Sequence, residues 1–246
     1  LFVLVISVIA RGESLDAAKE ALDAGAPGEA EAILSDVEKA GKDEERDELF
    51  YLLAETASFY GHYSEAGNQL QRIEDPIWAA MGYYNLAMSH LVEESFRRVR
   101  SALQVTRALA GSSSDPVAQE MGDRASIAEG LLALRGGNNR SARRAFERVR
   151  TDSTLVPQGL YLLGLAKARM GEVHRALQTW RRLRSFPVAY PGVIEGRIAS
   201  VWANRLEGRP GRALSITEAN RRFLEKAIEE LEAYRGRVAR DGAAEV

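Results

Sequence analysis

The chain has 246 residues, 46% of them hydrophobic and 28% charged, with no cysteine. That composition supports a sizeable core and excludes wholesale disorder. The missing thiols exclude disulfides, thiolate metal sites, a cysteine nucleophile and lipid attachment to an N-terminal cysteine within these residues. The net charge of −2 conceals an asymmetry: residues 1–50 carry 13 acidic against 5 basic side chains, a balance of −8, whereas residues 97–222 carry 23 basic against 10 acidic, a balance of +13. A basic region of that kind attracts acidic proteins, anionic lipid or nucleic acid, or else consists of arginines spread over solvated helix faces.

The first ten residues, LFVLVISVIA, are almost wholly apolar and are followed at once by Arg11, Gly12 and an acidic segment. Ten residues are too few to span a bilayer. With no initiator Met and no basic leader, Leu1–Ala10 reads as the remnant of a secretory signal or membrane anchor, with Val8-Ile9-Ala10 as a small-residue cleavage site. The competing reading is a buried helix of the first repeat. A remnant implies a periplasmic or envelope-associated bacterial protein, with membrane association through the N-terminus.

From there one pattern recurs in chain order. Gly25, Ala30 and Leu34 mark a turn and a second helix, and Asp43, Glu44, Glu45, Asp47 and Glu48 form a solvated linker and helix start. Ala54, Gly61, Ala66 and Leu70 repeat the unit, and Asp75-Pro76 caps the next helix. Ala87, Glu94, Val99 and Leu103 form a weaker copy, in which Glu94 stands for the turn glycine and Val99 for the small alanine; a looser turn or shifted register is expected there. The spacing then grows by nine residues through Gly111-Ser112-Ser113-Ser114-Asp115-Pro116, read as an exposed loop ended by an Asp115 cap. Gly130, Gly137, Ala142 and Phe146 follow, and the same series returns 34 residues later as Gly164, Gly171, Ala176 and Trp180. Gly208, Ala213 and Thr217 close the array. Beyond them a terminal helix is apolar at Phe223, Ala227, Ile228, Leu231 and Tyr234, suited to capping the last repeat or to pairing with a second chain.

These residue types have physical reasons. A glycine ending a helix takes the left-handed conformation that closes it, and a small side chain five residues later lets two helices cross closely. The large residue four positions further lies on the same helix face and fills the space between neighbours.

The spacing over roughly residues 14–222 resembles the tetratricopeptide repeat, and the chain is similar in kind to bacterial cell-envelope proteins of that family. The resemblance implies an all-α fold, a right-handed α-α superhelix of about five to six helical hairpins with a C-terminal capping helix. It divides the chain into the remnant at 1–10, a repeat domain at 11–222 and the terminal helix and tail at 223–246. It also implies a concave surface lined by first helices, on which Tyr51, Tyr84, Ile127 and Tyr161 share one position, with Trp202 near the mouth of the last unit, and Glu55, Met88, Leu131 and Leu165 share another. Tyrosine and tryptophan anchor peptides at low entropic cost, but the same rings can equally pack between adjacent first helices.

No catalytic constellation accompanies the repeat. His62, His90 and His174 lie in different units with no ligand at metal spacing and read as surface or turn decoration. Gly136-Gly137-Asn138-Asn139 lacks the Lys-Ser or Lys-Thr of a phosphate loop. Arg143, Arg144, Arg148, Arg181 and Arg182 fall on second helices and read as solubilising, and basic residues are not interleaved with aromatics as a nucleic-acid track requires. The expectation is therefore a non-enzymatic scaffold without cofactor, metal or nucleic acid. It binds a protein or peptide through Tyr51, Glu55, Tyr84, Met88, Leu131, Tyr161, Leu165 and Trp202. The alternatives are a self-assembling homo-oligomer and the helical module of a larger enzyme.

Overall fold

Six times along the chain a helix stops on a residue in the left-handed region: Gly25, Gly61, Glu94, Gly137, Gly171 and Gly208, with φ between 57° and 79°. At each stop two backbone bonds recur. The N–H of the left-handed residue reaches back three residues, as from Gly171 to Ala168 at 3.0 Å, and the next N–H reaches back five, as from Glu172 to Lys167 at 3.0 Å. This pair satisfies the last carbonyls of the helix and turns the chain back on itself.

The computed structural model describes residues 14–40 and 45–241, and among these every regular element is helical. Six hairpins follow in order: α1 (Leu15–Asp23) with α2 (Pro27–Ala40), α3 (Arg46–Phe59) with α4 (Tyr63–Leu70), α5 (Pro76–Val92) with α6 (Phe96–Ser112), α7 (Pro116–Arg135) with α8 (Asn139–Phe146), α9 (Val156–Arg169) with α10 (Val173–Arg181), and α11 (Val193–Leu206) with α12 (Pro210–Asp241). Residues 182–185 prolong α10 as a 3-10 turn. The chain forms two compact units, Leu1–Glu129 and Gly130–Val246, whose division falls within α7. The run Leu1–Ala10 lies outside the described residues.

Inside the first five hairpins one pair of residues sixteen apart recurs. Where the first helix carries alanine, at Ala18, Ala54 and Ala87, the second carries leucine, at Leu34, Leu70 and Leu103, and all six are buried. Where the first helix carries glycine, the second carries an aromatic. A Cβ on Gly130 would lie 2.2 Å from Phe146, and one on Gly164 would lie 2.1 Å from the Trp180 indole nitrogen, so the missing methyl is the space the ring occupies. Trp180 is fully buried and its Nε1 donates to the Tyr161 carbonyl oxygen at 2.9 Å, which satisfies the one polar atom the ring brings into the core. Burying each of these leucines and aromatic rings contributes about 1.5–3 kcal/mol of apolar transfer energy, in hairpins too short to fold alone.

Several expectations change. Glu94 neither loosens its turn nor shifts the register: its N–H bonds to Leu91 at 3.0 Å, the Ser95 N–H bonds to His90 at 3.0 Å, and Val99 is as buried as the alanines it replaces. The nine extra residues after Leu103 do not form a long loop. Helix α6 runs through Gly111 to Ser112 and α7 is 20 residues long, so longer helices absorb most of the insertion, leaving residues 113–115 as the connection. The caps at its end and at Asp75 are as expected: Asp115 Oδ1 accepts from the Val117 N–H at 2.7 Å, and Asp75 Oδ1 from the Ile77 N–H at 2.7 Å. The acidic start of α3 is structural rather than merely solvated. Asp47 accepts from the backbone N–H groups of Glu74 and Asp75 at 3.0 and 2.8 Å, and Glu48 pairs with Lys19; Asp43 and Glu44 lie outside the described residues. The terminal helix is present as the continuous second half of α12. Arg197 of α11 lies 3.5 Å over the Phe223 ring and Ala227 is buried, whereas Ile228, Leu231 and Tyr234 are exposed.

Candidate functional site

In the first unit, the predicted inner-face residues of α3 are engaged by α5. Asn85 donates through Nδ2 to the Tyr51 hydroxyl at 3.0 Å and to Glu55 Oε1 at 3.1 Å, and the Trp78 ring lies 5.1 Å from the Tyr51 ring. Burial raises the Glu55 carboxyl above its ordinary range, and burial together with the Glu55 charge raises the Tyr51 phenol. Tyr51 and Glu55 thus join adjacent first helices. Tyr84 and Met88 are half-buried on α5, and burial raises the Tyr84 phenol against the opposing charge of Arg124. Ile127, which shares the tyrosine position, is buried.

In the second unit, Tyr161 and Leu165 of α9 are half-buried against Leu160, Ala176, Trp180, Leu183 and Ala203. The backbone turns past Tyr161 at Gly192, where φ is 90° and a Cβ would sit 2.9 Å from the Tyr161 Cβ, so only glycine fits that approach. Leu131 is exposed on α7. Trp202 is 52% exposed, and it does not stand alone. Counting back from the Gly208 turn, Ile198 occupies the place held by Tyr161 in the preceding hairpin and Trp202 the place of Leu165. Ile194, Ile198, Trp202 and Leu206 recur every fourth residue and form one apolar stripe on α11, with Ile198 63% and Leu206 60% exposed. The three aliphatic members were missed in the sequence; the Gly208 turn was the signal that could have found them.

The histidines divide. His62 and His174 are exposed, but His90 is buried, correcting the expectation of surface decoration. It stands in the last turn of α5, where its ring packs on Tyr63 at 4.7 Å, and burial lowers its pKa. Among the described residues no three His, Asp or Glu side chains come together to hold a metal, and no helix is long and apolar enough to cross a membrane.

The outer-face arginines are not uniformly free. Arg143 is held by Glu147 at 2.9 Å and reaches Glu172 at 3.5 Å, and Arg175 is held by Glu172 at 3.1 Å. Arg181, by contrast, lines a cleft in the second unit together with Arg184, Arg209 and Arg212.

No protein-family model matches the chain, and no curated protein matches it. Among solved structures it is similar to one described as the crystal structure of MamA protein, a tetratricopeptide-repeat protein. The two share 17% sequence identity over 76% of this chain and 96% of that chain, with a TM-score of 0.55. At that identity the likeness speaks for the fold: the chain is an all-α protein of tetratricopeptide-like helical hairpins.

Proposed function

We propose that the protein is a non-enzymatic scaffold that binds another protein through the exposed inner-position residues of its first helices. The observation that carries this reading is the stripe Ile194, Ile198, Trp202 and Leu206. Four large apolar side chains on one helix face, three of them more than half exposed, have an unfavourable free energy in water that a partner would relieve. A tryptophan flanked by aliphatics is also the composition of an interface anchor. Leu131, Tyr84 and Met88 offer further apolar surface at equivalent positions, whereas Tyr51 and Glu55 serve chiefly to hold α3 against α5.

The test is site-specific photo-crosslinking in cells. A photoreactive residue at Ile198 should yield a discrete protein adduct, lost when Trp202→Glu is added. The same probe at the exposed outer position Arg140 should yield none. Equal labelling at both positions, or an adduct indifferent to Trp202→Glu, would defeat the proposal. Normal binding by a Tyr84→Ala, Tyr161→Ala variant would remove those two tyrosines from the site. Placement in a bacterial envelope rests on Leu1–Ala10 alone, and a reporter fusion active only outside the cytoplasm tests it.

A second reading is self-association through the exposed face of α12. It is favoured by Ile228, Leu231 and Tyr234, which are about half exposed or more. Sedimentation over a range of concentrations decides it, and a strict monomer excludes it.

A further inference from the structure

In the second unit a cleft of about 430 Å³ opens between α10, α11 and α12, away from the Trp202 stripe. Its charged walls are basic. Arg181 and Arg184 approach from α10 and the turn after it, and Arg209 and Arg212 from the start of α12. No carboxylate is among the described residues that line it. Arg209 has Glu207 at 3.5 Å, but Arg181, Arg184 and Arg212 have no acidic partner among the described residues, in contrast to Arg143 on α8 and Arg175 on α10. The cleft therefore concentrates like charge along a concave surface, which raises the local concentration of anions.

A second feature narrows the ligand. Asn204 lines the same cleft and is 2% exposed. Its Nδ2 donates to the Ser200 carbonyl at 2.8 Å, but its Oδ1 is buried and finds no donor among the described residues. A buried acceptor without a donor is unfavourable, so the site favours a ligand that brings an N–H as well as negative charge. Inorganic phosphate or a bare phosphoryl group at neutral pH is chiefly an acceptor and leaves Oδ1 unpaired. A polypeptide carries an N–H at every residue, and its Asp and Glu side chains match the forked donors of arginine. Leu177 and Ile216, also in the lining, supply apolar wall for the carbon chains of such residues.

We infer that this arginine cleft is a binding site for an acidic polypeptide segment, whose carboxylates pair with Arg181, Arg184, Arg209 and Arg212 while a backbone N–H reaches Asn204 Oδ1. The site is separate from the α11 stripe, so it stands or falls independently of the function proposed above.

The full chain is titrated into fluorescein-labelled oligoglutamate and followed by anisotropy, with unlabelled oligoglutamate, oligoglutamine and inorganic phosphate as competitors. Saturable binding is expected that weakens as salt rises and is displaced by oligoglutamate but not by oligoglutamine, and only weakly by phosphate. Arg184→Glu with Arg212→Glu should weaken it about tenfold or more. Arg97→Glu with Arg100→Glu, which changes net charge equally from the first unit, should leave it within about twofold. Arg184 and Arg212 are exposed, so the variant should retain the helical circular dichroism and melting curve of the parent. The wild-type competition remains decisive even if it does not. Absence of saturable binding, equal loss in both double variants, or displacement by phosphate as effective as by oligoglutamate would each overturn the assignment.

Discussion

Replacing Glu94 by glycine should make this protein more stable, although it deletes a side chain. Glu94 is the one non-glycine residue with positive φ, at 57°, among the described residues, and it stands where five other turns place Gly25, Gly61, Gly137, Gly171 and Gly208. The left-handed conformation costs an ordinary L-residue about 1–2 kcal/mol through the clash of Cβ with the following carbonyl. Glycine escapes that cost but returns about 0.5–1 kcal/mol as extra backbone entropy of the unfolded chain. The net gain for Glu94→Gly is about 0.5–1 kcal/mol, a rise in Tm of roughly 1–4 °C for a chain of this size. Glu94→Ala is the necessary companion, because it loses the same side-chain interactions while keeping the strain. The difference between the two variants, read from urea midpoints and thermal melts, isolates the backbone. Gly171→Ala provides the reverse measurement at a turn with φ of 79° and an open environment, and should cost about 1 kcal/mol. If Glu94→Gly is no more stable than Glu94→Ala, and Gly171→Ala costs nothing, the account of these turns is wrong.

Gly164→Ala should destabilise by about 1–3 kcal/mol despite alanine's better helix propensity, because the new methyl meets the Trp180 ring at 2.1 Å; combined with Trp180→Phe, the loss in chemical denaturation should be smaller than the sum of the single losses. Burial raises the Glu55 carboxyl above the ordinary carboxylate range, so through that range the folded state binds more proton than the unfolded chain, and stability falls as pH rises. Glu55→Gln preserves an acceptor for Asn85 and should raise the urea midpoint at about pH 7, with the advantage vanishing near pH 4. For His90 the sign is opposite. Its folded pKa is lowered by burial and by Arg98, so the unfolded chain takes up a proton first, and stability is lost as pH falls below about 6.5. His90→Phe, which keeps a ring against Tyr63, should flatten the dependence of Tm on pH between about 7.5 and 5.5, and an unchanged slope would assign it to other groups.

Much of the fold is legible in the one-dimensional spacing because its controlling interactions are local. A helix stop needs only one residue able to adopt positive φ, so Gly25, Gly61, Gly137, Gly171 and Gly208 announce themselves, and even Glu94 is identified by its place in the register. The matches of Gly130 with Phe146 and Gly164 with Trp180 join residues sixteen apart in one hairpin, and their sizes complement each other on the page as they do in space. What the sequence determined by itself, therefore, was the phase of the repeat with its turns and caps, whereas it placed Phe146 and Trp180 between neighbouring units and the structure seats them against Gly130 and Gly164 of their own hairpins. Exposure was settled only by the tertiary structure, because it depends on which neighbouring helix covers a given face. Tyr51 and Ile198 hold the same repeat position, yet Asn85 and Trp78 engage the first while the second stands open to solvent. His90 looked like decoration until the Tyr63 ring was placed against it. The arginine cleft is the clearest case: Arg181 and Arg184 are far in sequence from Arg209 and Arg212, and only the stacking of one hairpin on the next turns a basic composition into a site.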